Sequence, residues 1–424
     1  MNYTQTTEYL FSAMPSFQNV GGSAYKPGLE RIEAFCKVLG DPHLAYPTIH
    51  VAGTNGKGST SHMLASVLQS AGYRVGLFTS PHLRDFRERM RIDGEMISEK
   101  MVVDFVAQNR DCMEHLNLSF FEMTAAMAFD FFAHSKVDIA VIETGLGGRL
   151  DATNIVDPIL SIITNIGIDH TQYLGSTLPE IAAEKAGIIK RSKPVIVGEK
   201  VDEYRSVIEQ KAANMGSSLY FATDHYSINN IEQKADNQIV SLTHNGISRD
   251  YTLDLQGAYQ AKNLVTLLTA IDNLKPHLQI PQEAIEGGLR SVVDSTSLCG
   301  RWQTMSDSPK IICDTGHNTH GLREVTAQLA RQEYSKLYCV VGFARDKDLR
   351  TIIPLFPKDC HFIFTRAKVE RAFTTDEIAL VARELGVDFT LVDDVQSAVM
   401  EARKRAEESD LIFVGGSNFV VAEI

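Results

Sequence analysis

The chain has 424 residues, more than one compact hydrophobic core usually contains, so two or three domains are expected. Apolar residues make up 44% and charged residues 22% of the chain, which is the composition of an ordinary globular protein. The net charge of −12 argues against a nucleic-acid or anionic-membrane partner, because either would favour a basic surface. Small anionic substrates stay compatible with this charge, since they need only a local group of basic side chains or backbone N–H groups.

The cysteine pattern and the N-terminal segment predict a cytoplasmic protein. Six cysteines are scattered without a C-x-x-C pair, which argues against a zinc site and against a disulfide framework. The N-terminal segment lacks the basic stretch and the apolar core of a secretory signal. No apolar run reaches the roughly 18 residues that a membrane-spanning helix needs. We therefore expect neither a membrane nor a nucleic acid among the partners.

From Thr48 onward, short apolar runs alternate with segments of helical periodicity. Strands are predicted at 48–52, 74–79, 137–143, 159–165 and 194–198. Helices are predicted at 57–71, from Ser119 to about 134 and from Thr177 to about 190. Ser119 and Thr177 are each followed three positions later by glutamate, the capping-box signature of a helix start. This alternation predicts right-handed βαβ units and a mostly parallel sheet in an α/β fold.

The pattern changes between about 226 and 255, where alternating residues flank Asn245-Gly246, a strong hairpin signal. We therefore predict a smaller antiparallel element there, with helices after it at about 258–274 and 281–291. A second series of strands and helices begins near Lys310, with strands in IICD, KLYCVVGF, HFIFT, DFTLV and LIFVGG. The polar segment 293–300 separates the two series, which predicts domains at 1–296 and 297–424.

A glycine-rich turn, Val51-Ala-Gly-Thr-Asn-Gly-Lys-Gly-Ser-Thr60, lies between a predicted strand and a predicted helix. Backbone N–H groups in such a turn can approach phosphate oxygens, and the helix N-terminus favours negative charge. Lys57 would reach the β- and γ-phosphates, and Ser59 or Thr60 would serve Mg²⁺. Valine at position 51 and Gly58 after Lys57 depart from the G-x-x-x-x-G-K-[ST] pattern, so a purely structural turn is the alternative. The candidate ATP-binding residues are Thr54, Asn55, Gly56, Lys57, Gly58 and Ser59.

The turn and several later segments resemble one enzyme family. The variant G-T-N-G-K-G-S and Phe78-Thr-Ser-Pro-His82 are similar to folylpolyglutamate synthase and dihydrofolate synthase, within the Mur ligase superfamily. Four more segments follow in the family's order, at 143–154 (ETGLGGRLDATN), 169–171 (DHT), 184–187 (EKAG) and 314–318 (DTGHN). Together they extend the resemblance over nearly the whole chain.

The resemblance implies a P-loop-containing, Mur-ligase-like central domain and a Rossmann-like C-terminal domain, with ATP between them. It assigns Asn263 to the adenine or ribose side of ATP and Arg301 to a phosphate. From the C-terminal domain it adds Asp314 to the ATP site and His317 to the candidate catalytic residues, with Lys57 and Lys185. Thr315 and Thr319 depart from the family's D-G-A-H-N-P, and a simple strand-end cap is the alternative for Asp314.

For the metal, the resemblance implies that Ser80, Glu143 and His170 bind Mg²⁺. It also implies that Lys185 is carbamylated, which would help to organise a second Mg²⁺. The residues alone leave other interpretations open. Glu143 would be a buried carboxylate paired with Arg149, His170 a helix-terminus or core histidine, and Lys185 part of a solvated pair with Glu184.

For the other substrates, the resemblance implies a folate site and a glutamate site. The candidate folate-binding residues are Lys26, Gly28, Phe120, Phe121, Glu122, Asp151 and Ala152, and Ser417 is the candidate for glutamate. The two phenylalanines would otherwise be core residues. A basic run, Arg84, Arg87, Arg89 and Arg91, would attract a polyanionic substrate tail or would form a solvated face paired with Asp85 and Glu88.

Together these expectations predict an ATP-dependent ligase that acts as a monomer on small molecules. The resemblance implies that it joins L-glutamate to dihydropteroate, to reduced folates or to both, through an acyl phosphate. A Mur-type ligase for another acid is one alternative, although the region before Thr48 leaves no room for a nucleotide-sugar domain. A P-loop NTPase without ligase activity is another, although an N-K-x-D segment is absent.

Overall fold

The computed structural model describes residues 1–13 and 26–424, which form two compact units. The first unit comprises Met1–Asp254 and Gln260–Leu298, and the second comprises Leu255–Tyr259 and Cys299–Ile424. The five residues Leu255–Tyr259, which directly precede a helix of the first unit, thus belong by their contacts to the second unit. Within the described ranges, no helix combines the length and apolar character that crossing a membrane requires.

The first unit is built on an eight-stranded sheet with the order β4-β3-β2-β5-β1-β6-β7-β8. Six adjacent strands, β2, β5, β1, β6, β7 and β8, are parallel to one another. The strands β3 and β4 are added antiparallel at the edge next to β2. The strands are β1 (Thr48–Ala52), β2 (Val75–Phe78), β3 (Met90–Ile92), β4 (Glu95–Met96), β5 (Ile139–Glu143), β6 (Leu160–Ile163), β7 (Val195–Val197) and β8 (Leu219–Phe221).

The helices of the first unit pack against this sheet and against one another. They are α1 (Tyr3–Ala13), α2 (Glu30–Val38), α3 (Lys57–Ser70), α4 (Glu99–His115), α5 (Phe120–His134), α6 (Thr171–Leu174), α7 (Leu178–Lys185), α8 (Asp202–Met215), α9 (Gln260–Leu274), α10 (Gln282–Arg290) and α11 (Val292–Thr296). Every residue of β1, β5 and β6 is buried, as is typical of central parallel strands with helices on both sides. Because β1 lies between β5 and β6, Val51 is aligned with Glu143 on one side and with Ile162 on the other.

The capping signatures are confirmed at both helix starts. Ser119 Oγ accepts the N–H of Glu122, and the Glu122 carboxylate accepts the N–H of Ser119 at 2.7 Å. Thr177 and Glu180 make the same reciprocal pair at α7. That helix, however, ends at Lys185 rather than near 190 and continues as a short 3-10 turn. The Cα of Arg149 lies 2.3 Å from where a Cβ on Gly187 would be, so this close approach requires glycine there.

The predicted antiparallel element is a three-stranded sheet. It consists of β9 (Tyr226–Gln233), β10 (Gln238–His244) and β11 (Ile247–Leu253), with β10 in the middle. Asn245 and Gly246, with φ of 50° and 78°, form the two-residue turn between β10 and β11. Both residues therefore have the left-handed conformation that this type of hairpin turn needs, and the hairpin prediction is confirmed.

The second unit contains a six-stranded sheet with the order β12-β13-β17-β14-β15-β16, in which only β12 is antiparallel. Its strands are β12 (Gln303–Asp307), β13 (Lys310–Cys313), β14 (Leu337–Val341), β15 (His361–Arg366), β16 (Phe389–Asp394) and β17 (Leu411–Gly415). Its helices are α12 (Thr319–Leu329), α13 (Leu349–Ile352), α14 (Thr375–Leu385), α15 (Val395–Arg405) and α16 (Asn418–Ala422). The predicted α/β fold, with a mostly parallel sheet in each half, is confirmed.

Candidate active site

The glycine-rich turn between β1 and α3 is held by the segment that follows β6. Gly56 precedes α3 with φ of 81°. The backbone N–H of Thr54 donates to the Asn165 carbonyl at 2.9 Å, and the N–H of Asn55 donates to the Asn165 side chain at 2.8 Å. The Thr54 hydroxyl donates to the Gly167 carbonyl at 3.1 Å. Asn165, which the sequence analysis missed, thus fixes the shape of the turn.

Two lysines converge on one carbonyl oxygen of this turn. Lys57 Nζ donates to the Gly53 carbonyl at 3.1 Å, and Lys185 Nζ donates to the same oxygen at 2.9 Å. Lys185 is buried, so its interpretation as half of a solvated pair is wrong. Burial, with a smaller contribution from the Lys57 cation, lowers the pKa of Lys185 to about 7. Near neutral pH a large share of this amine is therefore uncharged and nucleophilic.

Side chains from α9 meet the start of α3. Gln260 is fully buried and donates from Nε2 to Ser59 Oγ at 3.1 Å. Asn263 Nδ2 donates to Gln260 Oε1 at 2.7 Å. A Cβ on Gly56 would lie 2.3 Å from Asn263 Oδ1, so Asn263 is directly against the turn. The structure therefore joins three candidates for nucleotide binding, Gly56, Ser59 and Asn263.

Two of the three candidate metal residues are adjacent. Glu143 ends β5 in a buried position, and its Oε2 accepts the backbone N–H of Ser80 at 3.0 Å. Arg149 pairs with Glu184 at 2.9 Å, so the alternative of a Glu143–Arg149 pair is wrong. Glu143 offers a carboxylate and its neighbour Ser80 carries a hydroxyl, both of them hard oxygen donors, and Mg²⁺ commonly takes one or two protein ligands together with phosphates and water. The pair fits a magnesium ion.

His170 has a different setting. It immediately precedes α6 in the left-handed conformation, with φ of 50°. The backbone N–H of His170 donates to Asp169 Oδ1 at 2.9 Å. The ring Nε2 of His170 lies 3.9 Å from Asp169 Oδ2. Across residues 1–13 and 26–424, no set of three or more His, Cys, Asp or Glu side chains is arranged to hold a metal ion. A metal-binding role for His170 stays a prediction.

The two phenylalanines at the start of α5 differ in exposure. Phe120 is buried in the core and stacks on Phe11, with ring centroids 5.1 Å apart and planes at 20°. Phe121 is half-buried, and its Cζ lies 2.5 Å from where a Cβ on Gly145 would be. Phe121 is therefore the better placed of the two to meet an aromatic substrate, and its ring needs glycine at 145.

Glu122 and Lys26, two further candidates for folate binding, are held by contacts with residues distant in sequence. Glu122 pairs with Arg31 at 3.0 Å, and Arg31 also donates to the Lys26 carbonyl at 2.8 Å. Lys26 Nζ donates to the Asn117 carbonyl at 2.9 Å. Arg31, which the sequence analysis missed, therefore links two of the candidates. Gly28 has φ of 114°, and Ala152 is a core residue.

The basic run is only partly solvated. Arg87 pairs with Asp85 at 2.7 Å, as the solvated-face interpretation expects. Arg89 and Arg91 are buried, so that interpretation is wrong for both. Arg89 Nε donates to His82 Nδ1 at 2.8 Å, and burial lowers the pKa of Arg89 to about 10.

In the second unit, Asp314 follows β13 and is buried. Its Oδ2 accepts the Tyr259 hydroxyl at 2.6 Å and the Trp302 N–H at 2.8 Å, and its Oδ1 accepts the Gly316 N–H at 2.7 Å. Burial raises the pKa of Asp314, and these donors oppose the rise. Tyr259 was not among the predicted site residues, although it directly precedes α9, the helix that contains Asn263.

Other candidates of the second unit surround Thr315 and the start of α16. Arg301 Nη1 donates to the Gly300 carbonyl at 3.1 Å and to the Thr315 hydroxyl. His317 Nδ1 lies 3.0 Å from the Thr315 carbonyl. Ser417 is buried, and its hydroxyl accepts the N–H of Val420 at 3.2 Å. The contact of Ser417 in this structure is thus that of a helix N-cap.

Comparison with known proteins gives matches over both units. Residues 51–271 match the Mur ligase middle domain, and residues 300–418 match the Mur ligase glutamate ligase domain. A probable bifunctional folylpolyglutamate synthase/dihydropteroate synthase of Haloferax volcanii is 33% identical over 100% of this chain and 50% of its own length. The chain thus spans about half the length of this curated relative.

Two further relatives match over nearly their full length. The dihydrofolate synthase/folylpolyglutamate synthase of Bacillus subtilis is 32% identical over 94% of both chains. A structure of Escherichia coli FolC in complex with DHPP and ADP has 30% identity and a TM-score of 0.87. It covers 100% of this chain and 96% of its own.

Replacing Gly56 by alanine should destabilise the protein more than replacing Gly40 by alanine. The two glycines have nearly the same φ, 81° and 82°, so both variants incur the cost of about 1–2 kcal/mol for a left-handed alanine. Only at Gly56 would the new Cβ meet an atom within 4 Å, namely Asn263 Oδ1. Urea denaturation measures both changes. Equal losses, or no recovery when Asn263→Ala is added to Gly56→Ala, would contradict this packing.

Lys185 should make stability depend on pH above neutrality. Its pKa of about 7 in the folded protein lies below the value of about 10.4 for an unfolded chain. Between these values the unfolded chain binds a proton that the folded protein does not, so stability should rise with pH. The unfolding free energy of wild type minus that of Lys185→Met should therefore increase from pH 7 to pH 10. Lys37→Met, at an exposed lysine, should show no such increase; a flat difference for Lys185→Met would rule out the lowered pKa.

Proposed function

The chain belongs to the folylpolyglutamate synthase/dihydrofolate synthase family of Mur ligases, and from this we propose that it is an ATP-dependent ligase that joins L-glutamate to a folate-type carboxylate. One observation carries the proposal. Lys57 and Lys185 meet at Gly53, directly after β1, while Glu143 ends the neighbouring strand β5. The two lysines and the carboxylate proposed to bind the metal thus lie at the same edge of one parallel sheet, which is where ligands of such sheets bind.

The glycine-rich turn at 51–60, called the phosphate loop from here on, would bind the phosphates of ATP. Its backbone N–H groups and the N-terminus of α3 favour the anionic phosphates, and Lys57 would move from the Gly53 carbonyl to the γ-phosphate. Asn263, which lies against Gly56, would contact the nucleoside. When bound, Mg²⁺ would offset negative charge on the transferring phosphate, and Ser80 and Glu143 would hold it, with His170 as the third candidate.

The chemistry of amide formation requires activation of the acid, because an oxide is a poor leaving group. The substrate carboxylate oxygen would attack the γ-phosphorus, and the bond from γ-phosphorus to the β,γ-bridging oxygen would break to release ADP. The amine of glutamate would then attack the acyl carbon, lose a proton and expel inorganic phosphate. Lys57 would stabilise charge that develops on the phosphoryl oxygens, and positioning would supply much of the remaining rate enhancement.

The second unit would contribute polar groups for ATP and glutamate. Arg301 is already oriented by Gly300 and Thr315, which favours a role in phosphate binding. Asp314 is fixed by three donors and would act through a carboxylate oxygen on the nucleotide. His317 is the candidate catalytic residue in the segment after β13, and Ser417, shortly after β17, is the candidate for the incoming glutamate.

Carbamylation of Lys185 is part of the proposal. A pKa of about 7 leaves enough uncharged amine at neutral pH to react with CO₂, whereby the amine nitrogen bonds to carbon and loses a proton. The product is an anion beside the phosphate loop. With ¹³C-bicarbonate, the wild type should give a carbamate carbon resonance that Lys185→Met lacks. A wild-type spectrum identical to that of Lys185→Met would refute the modification.

Lys57→Ala should reduce ATP-dependent glutamate addition by at least about 100-fold, since it removes a cation from the transferring phosphate. The measurement is ADP formation together with detection of the glutamylated product. Lys37→Ala, at an exposed lysine of α2, should keep wild-type activity. Undiminished ligation by a folded Lys57→Ala protein would overturn the assignment.

Substrate requirements separate the proposed ligase from the other functions. A ligase of this class forms ADP only when glutamate and an acceptor are both present, whereas a P-loop NTPase hydrolyses ATP without them. Dihydropteroate and tetrahydrofolate, each tested with glutamate, distinguish the two folate activities. Activity with neither acceptor would instead favour a Mur-type ligase for another acid.

A further inference from the structure

A buried chain of hydrogen bonds runs from β1 to the loop that follows β5. His50 Nε2 lies 2.8 Å from Thr153 Oγ1, and Thr153 Oγ1 donates to Asp151 Oδ1 at 2.5 Å. Asp151 Oδ2 accepts the backbone N–H groups of Gly145 and Leu146, both at 2.8 Å. His50 and Thr153 are fully inaccessible to solvent, and neither is a candidate for contact with a substrate.

The direction of these bonds follows from the available protons. The Thr153 hydroxyl has one hydrogen, which it gives to the Asp151 carboxylate, so it must accept from His50. His50 is therefore the neutral tautomer that carries its proton on Nε2. Burial lowers the pKa of His50 to about 3 and keeps the ring uncharged. Its Nδ1 has no hydrogen-bond partner among the described residues, so Thr153 is the polar contact that orients the ring.

The series of hydrogen bonds from His50 ends at a loop that lies between two parts of the proposed site. Gly145 and Leu146 come directly after Glu143 and Thr144, and Glu143 is the candidate magnesium ligand. Gly145 also packs against the ring of Phe121, the half-buried aromatic candidate for the folate site. Asp151 thus fixes, through its hydrogen bonds to Gly145 and Leu146, the backbone segment that faces the Phe121 ring.

We propose that His50 and Thr153 are positioning residues, which hold Asp151 so that the 144–151 loop keeps Phe121 in place for the aromatic part of the acceptor. This inference rests on the proposed ligase function and assigns these two residues to acceptor recognition. Neither residue touches the substrate. Their effect passes through the two N–H groups bound to Asp151.

The burial of the Asp151 carboxylate explains why the hydrogen bonds from His50 through Thr153 are needed. Burial opposes the charged form of Asp151, and four hydrogen bonds, from Thr153 Oγ1 and from the backbone of Gly145, Leu146 and Thr153, stabilise that form. Removal of the Thr153 hydroxyl takes away one of these bonds and leaves the His50 N–H buried without an acceptor. Both effects release the carboxylate from its position.

The experiment compares Thr153→Val with Thr153→Ser in the full-length chain. Thr153→Val should lower kcat/KM for the acceptor by about 10- to 100-fold, mainly through a higher acceptor KM, and leave the KM for ATP unchanged. Thr153→Ser retains the hydroxyl and should stay close to wild type. His50→Gln, whose amide keeps a donor near the Nε2 position, should be less impaired than His50→Leu.

Amide hydrogen exchange supplies a second readout that does not depend on catalysis. In Thr153→Val the amides of Gly145 and Leu146 should exchange at least about tenfold faster, while the amides of β5 keep their protection. Thr365→Val is the matched control, because Thr365 is equally buried and its hydroxyl has no partner among the described residues. It should leave both the acceptor KM and these amides unchanged.

Each result bears on one claim. An unchanged acceptor KM and unchanged exchange in Thr153→Val would overturn the inference, as would a Thr153→Ser variant that is impaired to the same extent as Thr153→Val. Wild-type protein that does not ligate glutamate to either folate acceptor would overturn the proposed function instead. In that case the exchange of Gly145 and Leu146 still decides whether the hydrogen-bond chain holds the loop.

Discussion

The amino groups of Lys57 and Lys185, which share the carbonyl oxygen of Gly53, form the interaction on which the proposed site depends. Like charges in a buried setting repel each other, and a single carbonyl dipole offsets little of this repulsion. Burial of Lys185 is the larger effect, and together with this repulsion it lowers the pKa of Lys185 to about 7 despite the opposing effects of Asp169 and Asp151. A polyphosphate beside Lys57 would supply the missing negative charge. The turn is thus organised to be most favourable when an anionic ligand is bound.

Much of the fold is encoded locally. The buried apolar runs of β1, β5 and β6, the reciprocal caps at Ser119 and Thr177, and the Asn245-Gly246 turn are each determined by a few neighbouring residues. No helix was predicted for α1, α2, α4 or α8, and the segment that contains α11 was interpreted as the domain boundary. The short strands β3, β4, β8 and β12 were also missed. Such short elements, some of them at sheet edges, show too few alternations for a pattern to be seen, and their pairing is decided by the rest of the sheet.

The candidate site shows the same division between local and distant effects. The glycine-rich turn between β1 and α3 was predictable because strand, glycines, lysine and helix are contiguous. Asn165, Arg31 and Tyr259 were not, because each acts on a residue that is distant in sequence. Burial was the other missing quantity. Charge pattern alone suggested solvated positions for Lys185 and Arg89, whereas the structure buries both and changes their acidity.

The junction at Tyr259 and Gln260 has a consequence for any attempt to divide the molecule. Tyr259 belongs to the second unit and donates to Asp314, whereas Gln260 begins α9 in the first unit and donates to Ser59. A fragment that starts at Cys299 would contain Asp314 but lack the hydroxyl that serves it, and would leave a buried carboxylate short of a donor. The two units therefore cannot be separated by one cut. Evolution by simple fusion or exchange of a C-terminal module would have to carry five residues from the middle of the chain as well.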